Sequence, residues 1–143
     1  NNKGLLENKN YPYKATTQNC SSNTNNTPNA IGSNITDYEY IIPKSIVDMK
    51  KSVLQSPVAI AIDANNLYFR FYKEGVIDVP NNVSHNLNHA VTLVGFDYDE
   101  KGMYWIIQNS WGKEWGDNGF CKVRAKPGDG TLMCQLYGVY PIN

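Results

Sequence analysis

The hydrophobic pattern of this chain changes period several times, and each change predicts an element. Across residues 43–56, Ile46, Met49, Val53 and Leu54 fall at i, i+3, i+7 and i+8. That spacing lines one face of a helix. Pro43 suits a first turn, where a missing N–H costs nothing, and Pro57 ends the helix. Residues 58–62 form a continuous apolar run too short for a helix and predict a buried strand. Residues 65–74 predict a short helix with Leu67 and Phe71 on one side and Gly75 at its C-terminal end. Residues 76–86 read as a loop.

Two longer runs follow, residues 90–98 and 103–108, joined by a polar turn at residues 99–102. They predict an antiparallel hairpin. Asn118-Gly119 is a strong hairpin dipeptide and introduces a strand over residues 120–125. Gly128-Asp129-Gly130 turns the chain again, into a last strand over about residues 132–140. Towards the N-terminus, residues 35–42 alternate loosely, as a strand would. Residues 21–34 form a polar loop, and Tyr11-Pro12-Tyr13 is extended because a residue before proline avoids the helical region. One main helix followed by strands and tight turns gives the α+β class with a curled antiparallel sheet.

The length of 143 residues fits a single domain with a real core. Thirteen basic and thirteen acidic residues balance, which excludes a nucleic-acid footprint or a general membrane-binding patch. No run approaches the length of a spanning helix. Asn19, Asn25, Asn34 and Asn82 each open an N-x-S/T site, which suits an exported chain. Cys20, Cys121 and Cys134 make an odd, widely spaced set with no C-x-x-C pair. Structural zinc is therefore not expected, whereas one bridge with a leftover thiol, or a partner on sequence outside these residues, is.

The chemistry concentrates in the predicted hairpin. His89 stands at the mouth of its first strand and Asn109 at the end of its second, so antiparallel pairing makes them neighbours. An amide that accepts the proton on one ring nitrogen leaves the other free, which is how a general acid/base is oriented. Trp111 and Trp115 follow in a glycine-containing loop and can roof that pair. His85 stands four residues before His89. No glutamate accompanies them in the H-E-x-x-H manner and the flanking run is strand-like, so neither a metal nor a cofactor is expected.

The segments LNHAVTLVGF and YWIIQNSWGKEWGDNGF, with SPVAIAIDANNLYFRFYKEGV upstream and a terminal YP, resemble the C-terminal half of papain-family cysteine peptidases, nearest the cathepsin L-like branch. The resemblance runs from about Gly4 to Pro141. It implies the C-terminal domain of the papain-like fold, a curled half-barrel sheet with one or two short helices. Residues 1–20 would end the N-terminal half and cross over, residues 21–143 would form the β-rich domain, and the helical N-terminal half would be absent. It implies His89 as catalytic histidine, Asn109 as its orienting amide, Trp111 as the shield of their hydrogen bond and Trp115 on the leaving-group side. Ala61, Leu87 and Asn88 match positions near the pocket for the substrate's second residue upstream of the cut, with Tyr137 or Leu136 at its floor.

The resemblance also implies an endopeptidase working by thiolate acyl transfer, in a lysosomal, vacuolar or secreted setting. Its partners would be peptide or protein substrates, the enzyme's own N-terminal half, and cystatin-like or propeptide inhibitors, with no nucleic acid or membrane. The nucleophilic cysteine and the oxyanion-hole glutamine of the family are absent from these 143 residues, so this chain alone is expected to be inactive. The alternative is an inactive homologue acting as a binding or structural module. Cys134 resembles a cysteine whose usual partner lies where this chain has Asn82, which leaves a Cys121–Cys134 bridge as the expected pairing.

Overall fold

A computed structural model describes Lys9 and residues 12–14, 16–17, 35–83 and 86–142. The expectations for residues 18–34, including Cys20, and for His85 lie outside these described residues. The chain divides into two units, Asn1–Tyr38 with Pro141–Asn143, and Glu39–Tyr140. In the first, Thr36 donates to the Ile142 carbonyl from its N–H and its Oγ1, at 3.0 and 3.1 Å. The candidate site lies wholly within the second.

That larger unit contains α1 (Ile46–Gln55), β2 (Val58–Ile62), α2 (Leu67–Arg70), β3 (Val76–Ile77), β4 (His89–Asp99), β5 (Gly102–Gln108) and β6 (Phe120–Arg124). It also holds the inner ends of β1 (Asp37–Tyr40) and β7 (Gly138–Ile142), and 3-10 turns at Asn81–Val83 and Thr131–Met133. The strand order is β1-β7-β2-β4-β5-β6-β3, an open sheet. β2–β4, β2–β7, β4–β5 and β5–β6 pair antiparallel, and only the short β3–β6 pair is parallel. β3 therefore interrupts the stretch expected to be loop.

Helix α1 forms within the predicted stretch but begins at Ile46, so Pro43 lies before the N-cap and not in the first turn; side chains secure its N-terminal end, and the Ser56 N–H closes the other end on the Ser52 carbonyl at 3.0 Å. Ser45 caps it by accepting the Asp48 N–H at 3.1 Å, and Asp48 in turn accepts the Ile42 N–H at 2.7 Å. Met49 and Val53 are buried, but Leu54 is exposed and Ser52 takes the inner position. One residue past Val53 rotates a side chain by about 100°, which carries Leu54 out to solvent. Ser52 tolerates burial because its hydroxyl donates to the Asp48 carbonyl at 3.0 Å.

Strand β2 alternates in burial, although its sequence VAIAI does not alternate in polarity. Val58, Ile60 and Ile62 are buried, while Ala59 is exposed and Ala61 half-buried. Core side chains thus cover one face of this strand and leave alanines on the other. Helix α2 is only four residues long, and Leu67 and Phe71, expected to face inward, are exposed. The Asn66 side chain accepts the Tyr68 N–H at 2.9 Å and starts the helix in a phase that buries Phe69 and Tyr72 instead.

The β4–β5 hairpin forms across its predicted turn, with Asp99 opposite Gly102. It contains one feature that no apolar run announces. Leu93 faces Ile107 and Gly95 faces Ile106, so Val94 is an extra residue, a β-bulge. On the turn side of the bulge Phe96 pairs with the fully buried Trp105, and on the far side Leu93 and Val91 are buried. The bulge therefore switches the inward-facing set from even to odd positions. Asn118-Gly119 makes the expected two-residue turn. Both have positive φ, 52° and 91°, and Asp117 and Phe120 exchange backbone hydrogen bonds of 3.0 Å.

The last strand begins later than expected. Leu132 and Met133 both sit at φ 59°, which no strand allows, and β7 starts only at Gly138. The segment before it is held by the buried Gln135. Its Oε1 accepts Trp105 Nε1 at 3.0 Å and the Lys126 N–H at 3.2 Å, and its Nε2 donates to the carbonyls of Lys126 and Gly128 at 2.6 and 3.2 Å. The expected Cys121–Cys134 bridge is not formed in the structure, where both residues are free, buried thiols. Cys121 belongs to β6 while Cys134 caps the 3-10 turn, and each is enclosed by the apolar core.

Candidate active site

His89 opens β4, and Asn109 follows immediately after β5. The parity of the hairpin brings them together. With Thr92 opposite Gln108, continuing the register sets Asn109 across from Val91, and His89 lies two residues farther along on the same face. A regular ladder from the Asp99–Gly102 turn would set Asn109 across from Thr92, on the face His89 does not share. The Val94 bulge removes that mismatch.

The result is a hydrogen bond of 2.8 Å between His89 Nε2 and Asn109 Oδ1. The Ser110 N–H donates to the same Oδ1, also at 2.8 Å. Two donors on one atom identify it as the carbonyl end of the amide, so Nε2 carries a hydrogen and Nδ1 is the ring nitrogen left for other chemistry. Asn109 is buried, and its backbone N–H is tied to the Gly119 carbonyl at 2.9 Å. Its Nδ2 is buried and has no hydrogen-bond partner among the described residues. The amide is thus held from its backbone and its carbonyl oxygen.

Aromatic rings enclose the imidazole. Trp111 lies 5.1 Å from it, tilted by 35°, and is 43% exposed, which suits a lid between the hydrogen bond and water. Phe69 from α2 is fully buried and contacts three rings edge-on or tilted: His89 at 6.1 Å, Trp111 at 5.4 Å and Trp115 at 4.8 Å. Trp115 also contacts Tyr72 at 5.8 Å, and its Nε1 donates to the Arg70 carbonyl at 3.3 Å. Burial raises the Tyr72 hydroxyl's pKa, and its 2.6 Å hydrogen bond to the Gly75 carbonyl keeps that ring in place. Gly116 sits at φ 59°, and a Cβ there would lie 2.6 Å from the Phe120 carbonyl, so only glycine lets the Trp115 loop close on β6.

The four pocket residues do not all behave alike. Ala61 pairs with Ala90 across β2 and β4, and its N–H donates to the Tyr137 carbonyl at 3.3 Å, so these three lie together. Tyr137 is exposed and Leu87 half-buried. The Asn88 side chain is engaged elsewhere. Its Oδ1 accepts the Ala64 N–H at 2.9 Å, and its Nδ2 donates to Asp63 and to the Asn86 carbonyl, both at 3.0 Å. With its N–H on the Ile62 carbonyl at 3.0 Å, Asn88 clamps the entry of β4 to the end of β2. It fixes the backbone that leads into His89 rather than presenting a free amide. Reading the sequence missed Phe69 and Ser110, the first because a four-residue helix has no period to read.

Residues 1–139 match the family described as papain family cysteine protease. The chain belongs to that family. It is 42% identical over 142 residues to a cathepsin L-like peptidase of Aedes aegypti, covering 95% of this chain and 40% of that protein. It is 39% identical to macrodontain-1 of Ananas macrodontes, covering 94% and 59% respectively. The structure of the bromelain protease from Ananas comosus, in complex with the E64 inhibitor, matches with a TM-score of 0.84 at 36% identity, over 98% of this chain and 63% of that one. The chain thus spans less than two thirds of these relatives. Its open sheet with two short helices is that of the C-terminal domain of the papain-like fold.

Neither described cysteine of this papain-family chain is a thiolate. Burial pushes the Cys121 thiol up to about 12, and it raises Cys134 as well. Thiols held that far above neutral pH are protonated and unreactive. Away from the site, Arg124 is nearly fully buried. It grips Asp99 through two nitrogens at 2.8 and 2.7 Å and the Gly102 carbonyl at 2.7 Å. Lys126 joins Asp78 at 2.6 Å and the Val79 carbonyl at 2.9 Å. This ionic cluster anchors the β4–β5 turn and the segment after β3 to β6.

Proposed function

We propose that this chain supplies the acid/base half of a thiol endopeptidase. The observation that carries the reading is the shared Asn109 oxygen, which fixes a hydrogen on His89 Nε2 and leaves Nδ1 to face a sulfur. In this reading the nucleophilic cysteine comes from a segment outside these 143 residues: Cys121 and Cys134 are enclosed thiols, and Cys20, in QNCSSN, lacks the sequence context that the family sets around its nucleophile. In the assembled enzyme the imidazolium holds the thiol ionised, and the thiolate attacks the scissile carbonyl of a peptide. His89 Nδ1 then gives its proton to the leaving amine and, in the second half, takes one from the water that releases the acyl group. Trp111 keeps water off the His89–Asn109 bond, where a competing donor would let the ring turn. Trp115 lines the side from which the amine leaves.

Peptide or protein substrates, an N-terminal half bearing the thiol, and cystatin-like or propeptide inhibitors are the partners of this reading. The compartment is lysosomal, vacuolar or extracellular. The experiment compares the 143-residue chain with the same chain joined to a papain-family N-terminal half. The joined protein cleaves a peptidyl-coumarin substrate and is inhibited by iodoacetamide, and H89A abolishes that cleavage, while the chain alone is inactive. Thiol-dependent cleavage by the chain alone, or full activity of the joined H89A variant, would refute the proposal.

A further inference from the structure

Strand alternation gives the sheet's open face a composition that the His89–Asn109 pair does not use. Gly138 is buried against Ile41 and Ile60, so their chain neighbours Tyr137, Tyr40 and Ala61 project to the opposite side. Ala90, opposite Ala61, belongs to that side as well. The four residues come from β1, the residue preceding β7, β2 and β4, which are neighbours in that order across the sheet. They form one row that steps from two large rings down to two methyl groups. Tyr40 meets Tyr137 edge-on, with centroids 5.9 Å apart and an angle of 72°. The low end of the row adjoins His89, whose ring leans the other way, towards Phe69 and Trp111.

We infer that Tyr40 is a specificity-positioning residue that braces Tyr137 as the outer wall of a recess over Ala61 and Ala90. The inference rests on the peptidase reading above. A peptide whose scissile bond is held at His89 crosses the end of β4, so its two sides lie over opposite faces of the sheet. The upstream part then meets the alanine floor, which is deep enough for a bulky apolar side chain because neither floor residue extends beyond Cβ. A ring bound there stacks against Tyr137 only while Tyr137 is held upright. Tyr40 supplies that support through the edge-on contact of its ring. The exposed Tyr40 comes from the end of β1.

The test uses the joined, active protein and coumarin substrates with phenylalanine or alanine at the second position upstream of the cut. Y40A lowers the ratio of kcat/KM for phenylalanine over alanine by roughly three- to tenfold, the worth of one aromatic pair. Y40F keeps the ratio, Y40L falls between, and the alanine substrate is cleaved as before by all three. In a Y137A background the Y40A change has no further effect on the ratio. Should Y40A fail to fold, the Y40F and Y40L comparison decides alone. Equal ratios in Y40L and the parent protein, or an undiminished Y40A effect in the Y137A background, overturn the role of Tyr40. A joined parent protein with no activity would instead refute the peptidase reading.

Discussion

Phe69 offers the sharpest test of how the aromatic site is built. Phe69→Leu nearly conserves volume, and such a swap in an ordinary core position costs below about 1.5 kcal/mol. Here the lost ring has three aromatic partners, with centroids at 4.8, 5.4 and 6.1 Å. Each such pair is worth about 0.5–1.5 kcal/mol beyond the area it buries. The two Trp contacts alone then bring the total to roughly 2–3 kcal/mol. With a urea slope of about 1–3 kcal/mol per molar, the unfolding midpoint falls by roughly 0.7–3 M. Urea titration of the 143-residue chain, followed by Trp fluorescence, reads this directly. The His89 ring protons give a second readout, because Phe69 packs against the imidazole, and their NMR shifts move in F69L. Met49→Leu, a swap of similar volume in α1, leaves those shifts in place. A midpoint within about 0.3 M of the parent and unmoved His89 signals would show that Phe69 is only filler.

Three further outcomes follow from named contacts. Asn109→Ala removes the acceptor shared by His89 Nε2 and the Ser110 N–H, costs about 1–3 kcal/mol in urea unfolding, and abolishes the slowly exchanging Nε2 proton signal that the parent is expected to show. Gln135→Leu strands four groups, the Trp105 Nε1, the Lys126 N–H and the carbonyls of Lys126 and Gly128, where Asn109→Ala strands two, so it destabilises more than Asn109→Ala; equal or higher stability in thermal melts would refute the network's role. Asp99 is held at about 2, below its ordinary 3.8, chiefly by its hydrogen bonds from Arg124. A depressed carboxylate contributes stability that is fully present above about pH 4 and is lost as pH falls towards 2. Asp99→Asn therefore lowers stability at neutral pH and flattens the acid limb of the melting profile, and an unchanged limb contradicts this assignment.

Much of the site could be read from the sequence because it is carried by long, strongly patterned elements. The two apolar runs and the polar turn between them place His89 and Asn109 at one end of a hairpin, and the structure puts them 2.8 Å apart. The Val94 bulge that aligns their faces was not legible, since valine is one more apolar residue in an apolar run. Phe69 escaped for a related reason. In a helix of four residues the cap at Asn66, not a period, decides which aromatic turns inward. Leu132 and Met133 read as strand because their apolar side chains suit one, yet the Gln135 network holds that backbone in a turn. The ionic cluster joins Asp78, Asp99 and Arg124 across separations over which charge pattern carries no information.

The extra residue at Val94 makes the hairpin an odd–even machine. Losing one residue between His89 and Asp99 would exchange the two surfaces of the strand's far end, turning the imidazole away from its amide while every sequence motif stayed intact. Losing or gaining two would restore the alignment. Among relatives of this chain, length changes in that strand should therefore come in pairs or be matched by a second bulge, and a homologue that breaks the rule would keep the signature residues but not their encounter.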